Sequence, residues 1–208
     1  MSSPSDNFVT AISSRISCYN LINSSPISDS QIDKLISSVV THTPSAFNVQ
    51  SARAVVLLKH EHEKLWDIGD ALLKKNMPAT AYQALAPKVR GYRSAYGSVL
   101  WFEDQTALQD LAQRQPAVKD LVQEWSYHSS GMHQFAAWTA LELEGFGCNL
   151  QHYNFMPEFC QEVAKVWDIP ENWKLQSQLV FGMPENGLNR SRERTYVPTE
   201  DRVRIIGA

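Results

Sequence analysis

The sequence predicts an α+β fold in one domain, because strand-like and helix-like segments of varied length follow one another along its 208 residues. Residues 52–58 and 97–102 are apolar and rich in β-branched or aromatic side chains, the pattern of buried strands. Residues 32–40 instead carry apolar side chains three and four positions apart, the pattern of an amphipathic helix. A chain of this length can bury one sizeable core.

The same patterns place the elements in chain order. Strands are expected at residues 52–58, 97–102, 148–152 and 175–182. Helices are expected at 7–14, between Ser28 or Asp29 and Pro44, and at 61–75, 80–92, 105–114, 116–125 and 157–167. Pro87 is expected to break or kink its helix, because proline removes a helical hydrogen bond.

A nearly all-apolar helix is expected over about 132–143, and such a helix is buried in a core or an interface. Ser129 or Ser130 is expected to cap its start, and Gly145 and Gly147 to supply a left-handed end. The polar and aromatic run 148–154 follows. These residues leave two interpretations open: a core helix followed by an ordinary edge strand, or a rigid element that lines a binding site.

Composition narrows the class of protein. The formal charge of −3 gives no electrostatic case for binding nucleic acid or an anionic membrane. The three cysteines form no CxxC pair, which indicates a reducing compartment without a disulfide framework. No apolar run approaches the length of a membrane span, and the first 15 residues lack a signal-peptide core. We therefore expect a cytoplasmic protein, with the nucleus as the alternative.

The basic and histidine residues give weak signals by themselves. Arg15, Arg192 and Arg194 are interpreted first as solvated charges, although an arginine beside the Ser17 hydroxyl at a helix end can also anchor a phosphate. The run His-Glu-His-Glu at 60–63 has no further ligand cluster, so no metal site is expected. The sequence contains no GxSxG, Walker-type or GxGxxG motif.

Four blocks of sequence, taken together, resemble the flavin-dependent nitroreductase family and are closest to its small branch of fungal and bacterial nitroreductase-like proteins. The most specific block is WTALELEGFGCNLQHYN at 138–154. The others are RISCY at 15–19, TPSAFNVQ at 43–50, and QLVFGMP at 178–184 with the basic arm that follows it. The blocks stand in the family's order and span nearly the whole chain.

The resemblance implies a particular architecture. It is a central, mostly antiparallel sheet flanked by helices, in an intertwined homodimer whose C-terminal arms are exchanged. One nitroreductase-like domain would then occupy residues 1–208, with a disordered start at 1–6 and an arm at 184–208 that docks on the partner subunit. Two FMN molecules would lie at the subunit interface.

The resemblance also implies which residues bind the cofactor. Arg15, Ser17, Arg192 and Arg194 match phosphate contacts, and the loop 44–48 matches the one that reaches the isoalloxazine from the other subunit. Arg93 matches, within one or two positions, a basic residue facing flavin N1 and O2. The main chain of Leu150 to Tyr153 matches the segment facing N5 and O4, so His152 is not expected to act as an acid or base. The cofactor-binding set is Arg15, Ile16, Ser17, Tyr19, Pro44, Ser45, Ala46, Phe47, Asn48, Arg93, Leu150, Gln151, His152, Tyr153, Arg192 and Arg194.

The implied activity is that of an FMN-dependent NAD(P)H oxidoreductase that reduces nitroaromatics and quinones by alternating half-reactions through flavin N5. No side chain is expected to be the catalyst. Trp125, Tyr127 and His128 are candidates for a substrate-facing lid, with plain packing as the alternative. Tyr19 stands where many members carry a second Arg or Lys, which leaves less positive charge near the flavin.

Two other functions remain open from the sequence. One is a regulatory or stress-response protein that binds flavin or a lipid-like ligand and has incidental reductase activity. The other is a structural dimer without flavin.

Overall fold

The computed structural model describes residues 3–188 and 194–207. In this part of the chain the strands are β1 Leu21–Ile22, β2 Ala52–Leu58, β3 Gly97–Asp104, β4 Gly147–Gln151 and β5 Trp173–Pro184. The helices are α1 Asp6–Ser14, α2 Asp29–His42, α3 Lys59–Asn76, α4 Ala79–Arg93, α5 Gln105–Arg114, α6 Val122–Leu143 and α7 Pro157–Val166. Short 3₁₀ turns occur at Ala46–Asn48, Pro116–Leu121, Tyr153–Phe155 and Thr199–Asp201.

The sheet is built around the long strand β5, and all named strands pair antiparallel. β3 pairs with one edge of β5 and β2 pairs with β3. β4 and the two-residue β1 pair with the other edge of β5. The α+β class and the mostly antiparallel sheet are therefore confirmed.

Each face of the sheet is covered by a different group of helices, because the side chains of a strand alternate between its two faces. One buried cluster includes Trp66 of α3, Val89 of α4 and Phe159 of α7. The opposite cluster includes Ile36 of α2 and Leu141 of α6. The helix α6 thus packs directly on the sheet, and its end feeds into β4.

The start of α6 differs from the prediction. The helix begins at Val122, and the expected helix at 116–125 is divided into a 3₁₀ turn and the first residues of α6. Ser129 and Ser130 lie inside α6 rather than at its start. The Ser129 hydroxyl donates to the carbonyl of Trp125, the i−4 bond by which serine is accommodated within a helix.

Only one face of α6 is buried within the chain. Ala137 and Leu141 are fully buried, whereas Met132, Phe135 and Leu143 are exposed, with Leu143 at 69%. The isolated chain therefore buries one face of this helix in its core, and burial of the other face in an interface stays a prediction. The exposed apolar face is available for an interface.

The break predicted at Pro87 was wrong, and the predicted glycine end of α6 was correct at Gly145 but not at Gly147. Helix α4 continues through Pro87 without a break. Gly145 has a φ of 94° and ends α6 as predicted, while Gly147 belongs to β4. A Cβ at Gly147 would lie 2.7 Å from Leu21 Cδ2 and 2.9 Å from Cys18 Sγ, so this glycine permits close packing rather than a turn.

Among the described residues, no helix combines the length and the apolarity that crossing a membrane requires.

Candidate functional site

The segment that leaves α1 lies alongside β4. Ser17 forms a parallel bridge with Cys148, and the Cys18 N–H donates to the Cys148 carbonyl at 2.8 Å. The Asn149 side chain donates to the Cys18 carbonyl at 2.8 Å. Because side chains alternate in extended backbone, Ile16 and Cys18 are buried while Ser17 is exposed. The segment therefore presents polar groups at the edge of the sheet.

Two residues of α6 hold the beginning of this segment. The Glu142 carboxylate accepts the Ile16 N–H at 3.2 Å and the Trp138 Nε1–H at 2.9 Å. The guanidinium carbon of Arg15 lies 4.3 Å from the centroid of the Trp138 ring, which is a cation–π contact. Sequence reasoning missed both Trp138 and Glu142. The available signal was their spacing of four, which places an indole and a carboxyl on the same side of a mostly apolar helix.

Arg194 joins this group from the other end of the chain. Its Nη1 donates to the Ser13 carbonyl at 3.1 Å, and its Nη2 is buried without a hydrogen-bond partner among the described residues. Burial, followed by the charge of Arg194, lowers the pKa of Arg15. Burial raises the pKa of Glu142, although Trp138, Ile16 and both arginines oppose this effect.

Two neighbouring guanidinium groups, one with a buried N–H that no described residue accepts, are suited to an oxyanion with several acceptor oxygens. The phosphate of FMN fits this donor set. Arg15 and Arg194, which were predicted separately as phosphate contacts, are thus brought together. Arg192 lies outside the described residues.

The end of β4 lies at the same edge of the sheet as Ser17 and Cys18. Because the Cys148 carbonyl points toward Cys18 and main-chain direction alternates along a strand, the main chain of Leu150 also faces this edge. The Tyr153 N–H is occupied by the Gln178 side chain at 2.7 Å, and the ring packs 5.1 Å from the Trp66 ring. Burial raises the pKa of Tyr153. His152 is exposed.

Arg93 is the last residue of α4. Two positions earlier, a Cβ at Gly91 would lie 3.6 Å from the Tyr19 carbonyl oxygen, so this end of α4 lies beside Tyr19. The Arg93 guanidinium contacts Asp67 at 2.7 Å and Glu63 at 3.2 Å. The hydrogen bond to Asp67 is the largest factor that raises the pKa of Arg93. Two carboxylates therefore occupy this guanidinium in the isolated chain, and its contact with flavin stays a prediction.

The loop at 44–48 lies at the other end of α6. Phe47, Asn48 and Gln50 all have positive φ angles, between 50° and 53°, which residues other than glycine rarely adopt. The turn is held by Ser45, whose carbonyl accepts the Asn48 N–H and whose hydroxyl accepts the Gln50 N–H, each at 3.0 Å. The Phe47 ring lies 5.9 Å from the Trp125 ring.

A cavity of about 380 Å³ lies between this loop and α6. It is lined by Ala46, Phe47, Trp125, His128, Ser129 and Met132. Two of the three predicted lid residues, Trp125 and His128, thus line a cavity, and Tyr127 does not belong to this lining. All three lie within α6, which begins earlier than predicted, rather than just before the buried helix.

The two parts of the predicted site lie beside different parts of α6 in one chain. Phe47 packs on Trp125 and Arg15 on Trp138, and the two tryptophans are 13 positions apart, about 20 Å at 1.5 Å per residue. The loop also extends along α6, because Pro44 lines a cavity with Met132 and Ala140. The structure therefore brings Arg15, Ser17, Arg194 and the end of β4 together, and places Phe47 near the start of α6.

Comparison with known proteins agrees with this architecture. The Nitroreductase family model matches residues 12–183. The nitroreductase FRM2 of Saccharomyces cerevisiae is 35% identical over 184 residues, which cover 88% of this chain and 90% of the yeast protein. The structure of nitroreductase CinD from Lactococcus lactis in complex with nicotinic acid has a TM-score of 0.84 at 33% identity, covering 96% of this chain and 99% of that one.

A more distant structure shares the fold. A nitroreductase with bound FMN from Desulfitobacterium hafniense has a TM-score of 0.66 at 19% identity and covers 97% of this chain and 98% of that one. Fold and relatives together define a nitroreductase-type oxidoreductase. The chain belongs to the nitroreductase family, which confirms the family to which the four sequence blocks pointed.

Proposed function

We propose that this protein is an FMN-dependent NAD(P)H oxidoreductase that reduces nitroaromatic and quinone-type acceptors in alternating half-reactions. The observation that carries the proposal is the approach of Arg15 and Arg194, whose buried Nη2 has no hydrogen-bond partner within residues 3–188 and 194–207. When bound, FMN would supply the redox chemistry, accepting hydride from NADH or NADPH and delivering it to the acceptor. The residues of the chain bind and orient the reactants.

The phosphate would be held by charge-assisted hydrogen bonds from Arg15 and Arg194 and by the exposed Ser17 hydroxyl. Glu142 adds a negative charge to the same neighbourhood, but its burial raises its pKa, which weakens the repulsion. Its bonds to the Ile16 N–H and to Trp138 fix the backbone and the ring on which Arg15 lies.

The edge of the flavin ring would lie along the end of β4. Leu150 presents main-chain groups there, and a backbone N–H aimed at the ring would orient it without covering its open face. The N–H of Tyr153 is already bonded to Gln178, so this role is restricted to the residues before it. His152 would contribute its main chain rather than an acid or base.

A second copy of the chain would complete the site. In one chain Phe47 lies beside Trp125 near the start of α6 and Arg15 lies beside Trp138 near its end, so we place the loop of the partner beside the flavin bound at Arg15. The exposed apolar face of α6 and the exposed arm residues Val203, Ile205 and Ile206, the last at 88%, offer surface for such an interface. We place residues 1–208 in one domain. Within the arm expected at 184–208, Arg194 contacts Ser13 of its own chain, so we assign the docking on the partner to the part of the arm after Arg194.

The dimer has a direct test. Sedimentation of the wild-type protein is expected to give the mass of two chains. The double change Ile205→Asp and Ile206→Asp is expected to shift the equilibrium toward monomer and to reduce bound flavin, because it places two charges in a buried contact. A wild-type monomer that retains flavin would overturn the two-chain site.

The activity is tested by anaerobic reduction. The purified protein is expected to be yellow, to bleach under NADH or NADPH without oxygen, and to regain its colour when a nitroaromatic or a quinone is added. Colourless protein would contradict the flavoprotein assignment. Yellow protein that stays oxidised in the presence of both nucleotides would contradict the reductase assignment.

One observation favours the alternative of a binding protein for lipid-like ligands. A second cavity, of about 510 Å³, lies between α2 and α6 and is lined mainly by apolar residues. Its lining includes Leu35, Val39, Pro44, Met132 and Ala140. If this cavity serves a regulatory ligand, a long-chain fatty acid will bind the oxidised dimer, and nucleotide-driven bleaching will be slow or absent. Fast bleaching without fatty-acid binding would exclude this alternative.

A further inference from the structure

The cavity beside the 44–48 loop has the features of a site for an aromatic ring. Phe47 and Trp125 form two of its walls, and Met132 adds a polarisable, adaptable side chain. Its volume of about 380 Å³ falls within the range of small-molecule sites. The Phe47 side chain is 57% exposed although it is large and apolar, so it has little packing of its own to lose.

The two rings pack directly against each other, because centroids 5.9 Å apart with planes inclined by 31° are typical of an aromatic pair in contact. Both rings also line the cavity, so a third ring in the cavity would pack against this pair rather than enter between its members. Two hydrogen bonds to Ser45, each 3.0 Å long, hold the loop that carries Phe47. The aromatic surface is therefore formed before a ligand arrives.

The polar groups of the cavity argue for a ligand without net charge. The Ser129 hydroxyl already donates to carbonyls of its own helix. His128 Nε2 lies 3.9 Å from Glu124 Oε1, so any positive charge on the imidazole has a carboxylate beside it. An acidic ring would gain little from this pair, while a flat neutral ring would gain from both aromatic walls.

We propose that Phe47 and Trp125 form a second-ring subsite, which selects extended planar acceptors over acceptors with one ring. This inference rests on the proposed function, in which the 44–48 loop of one chain lies beside the flavin of the other. An acceptor with two fused rings would place its reacting ring at the flavin and its second ring in the cavity, against Phe47 and Trp125. A one-ring acceptor would leave the subsite empty.

The first test measures binding without electron transfer. Oxidised holoenzyme is titrated calorimetrically with 2-naphthol and with phenol, neither of which it can reduce. Phe47→Ala is expected to weaken 2-naphthol binding about tenfold and to change phenol binding little. Phe47→Tyr, which keeps the ring, is expected to restore binding. Phe8→Ala is a matched control, because Phe8 is 60% exposed on α1.

The second test measures discrimination during turnover. The ratio of kcat/KM for 1,4-naphthoquinone to kcat/KM for 1,4-benzoquinone is expected to fall about tenfold in Phe47→Ala. Ferricyanide needs no ring site, so dividing each quinone rate by the ferricyanide rate removes any general loss of flavin or of electron delivery in the variant. Equal loss with both quinones, or unchanged 2-naphthol affinity, would overturn the subsite. If wild-type protein reduces no acceptor but the 2-naphthol difference persists, the proposed reductase activity fails while the subsite stands.

Discussion

The Arg15 guanidinium lies on the Trp138 ring, 4.3 Å from its centroid, and the Trp138 indole N–H is bonded to Glu142 at 2.9 Å. The aromatic face fixes the position of the charge, and the carboxylate fixes the orientation of the ring. Glu142 also holds the backbone of the next residue, Ile16. Helix α6 therefore sets the geometry of a basic group that belongs to a different segment.

The first prediction concerns this contact. Trp138→Leu is expected to weaken FMN binding about fivefold, because a cation–π contact of about 1 kcal/mol is lost and Arg15 regains side-chain freedom. Trp138→Phe, which keeps an aromatic face, is expected to lose less. The measurement is an equilibrium titration of apoprotein with FMN. Trp167→Leu is the control, since Trp167 contacts Lys64 in the same way on a different part of the surface. An unchanged affinity in Trp138→Leu would contradict the role of the ring.

The second prediction concerns Arg194. Arg194→Glu is expected to yield protein that is mostly free of flavin, because a carboxylate would oppose the phosphate beside Arg15. The ratio of flavin to protein absorbance after purification measures this. Arg202→Glu changes charge equally at an exposed position of the same arm and is expected to retain flavin. Full FMN occupancy in Arg194→Glu would refute the assignment.

The third prediction concerns pH and stability. Glu103 is buried in β3, accepts a hydrogen bond from the Ser51 hydroxyl, and has a pKa raised to about 7, chiefly by burial. An unfolded glutamate has a pKa of about 4.3. Between these values the folded chain holds a proton that the unfolded chain lacks. This group therefore stabilises the fold at low pH, and its contribution disappears as the pH rises through about 7.

Glu103→Gln, which is neutral throughout, should lack this dependence. The free energy of unfolding of wild type minus that of the variant is expected to be about 2 kcal/mol larger near pH 5 than near pH 8. Urea unfolding of both proteins at both pH values measures this difference. The buried His62 gives stability the opposite pH dependence, but it is present in both proteins, so its effect cancels in the difference. That histidine has a pKa lowered to about 4 by burial. Glu144→Gln, at an exposed position, is the control, and a constant difference for Glu103→Gln would be the contrary result.

The fourth prediction concerns Gly147. Gly147→Ala places a methyl group 2.7 Å from Leu21 Cδ2 and 2.9 Å from the Cys18 side chain, so β4 and the segment after α1 must separate. We expect a loss of about 1–3 kcal/mol in the free energy of unfolding and weaker FMN binding, because that segment carries Arg15. Gly91→Ala is the control, because its methyl group would meet the Tyr19 carbonyl at an ordinary 3.6 Å. Equal stability of the two variants would contradict the packing argument.

Local pattern predicted several elements without error. Strand β2 and helix α5 have the predicted bounds, since β-branched alternation and an Asp104 N-cap are signals contained in a few neighbouring residues. The start of α6 was wrong, because a serine hydroxyl can cap a helix or bond back within one, and sequence alone does not distinguish these. The break predicted at Pro87 was also wrong, because packing elsewhere in the fold can offset the cost of a proline and is not visible in the neighbouring residues. Tertiary packing of Ala86 and Val89 outweighs the lost hydrogen bond.

The sequence by itself determined the alternation of elements, the left-handed end at Gly145, and the four blocks that identify the family, because each is written in adjacent residues. Only the tertiary structure decided that Arg15 meets Trp138, Glu142 and Arg194, and that Phe47 faces Trp125. These partners are distant in the chain, and their approach depends on how α1, α6 and the arm pack on the sheet. The same packing places Phe47 near the start of α6 and Arg15 near its end, and leaves an apolar face of α6 exposed. That arrangement is the physical reason for proposing that a second copy of the chain completes the site.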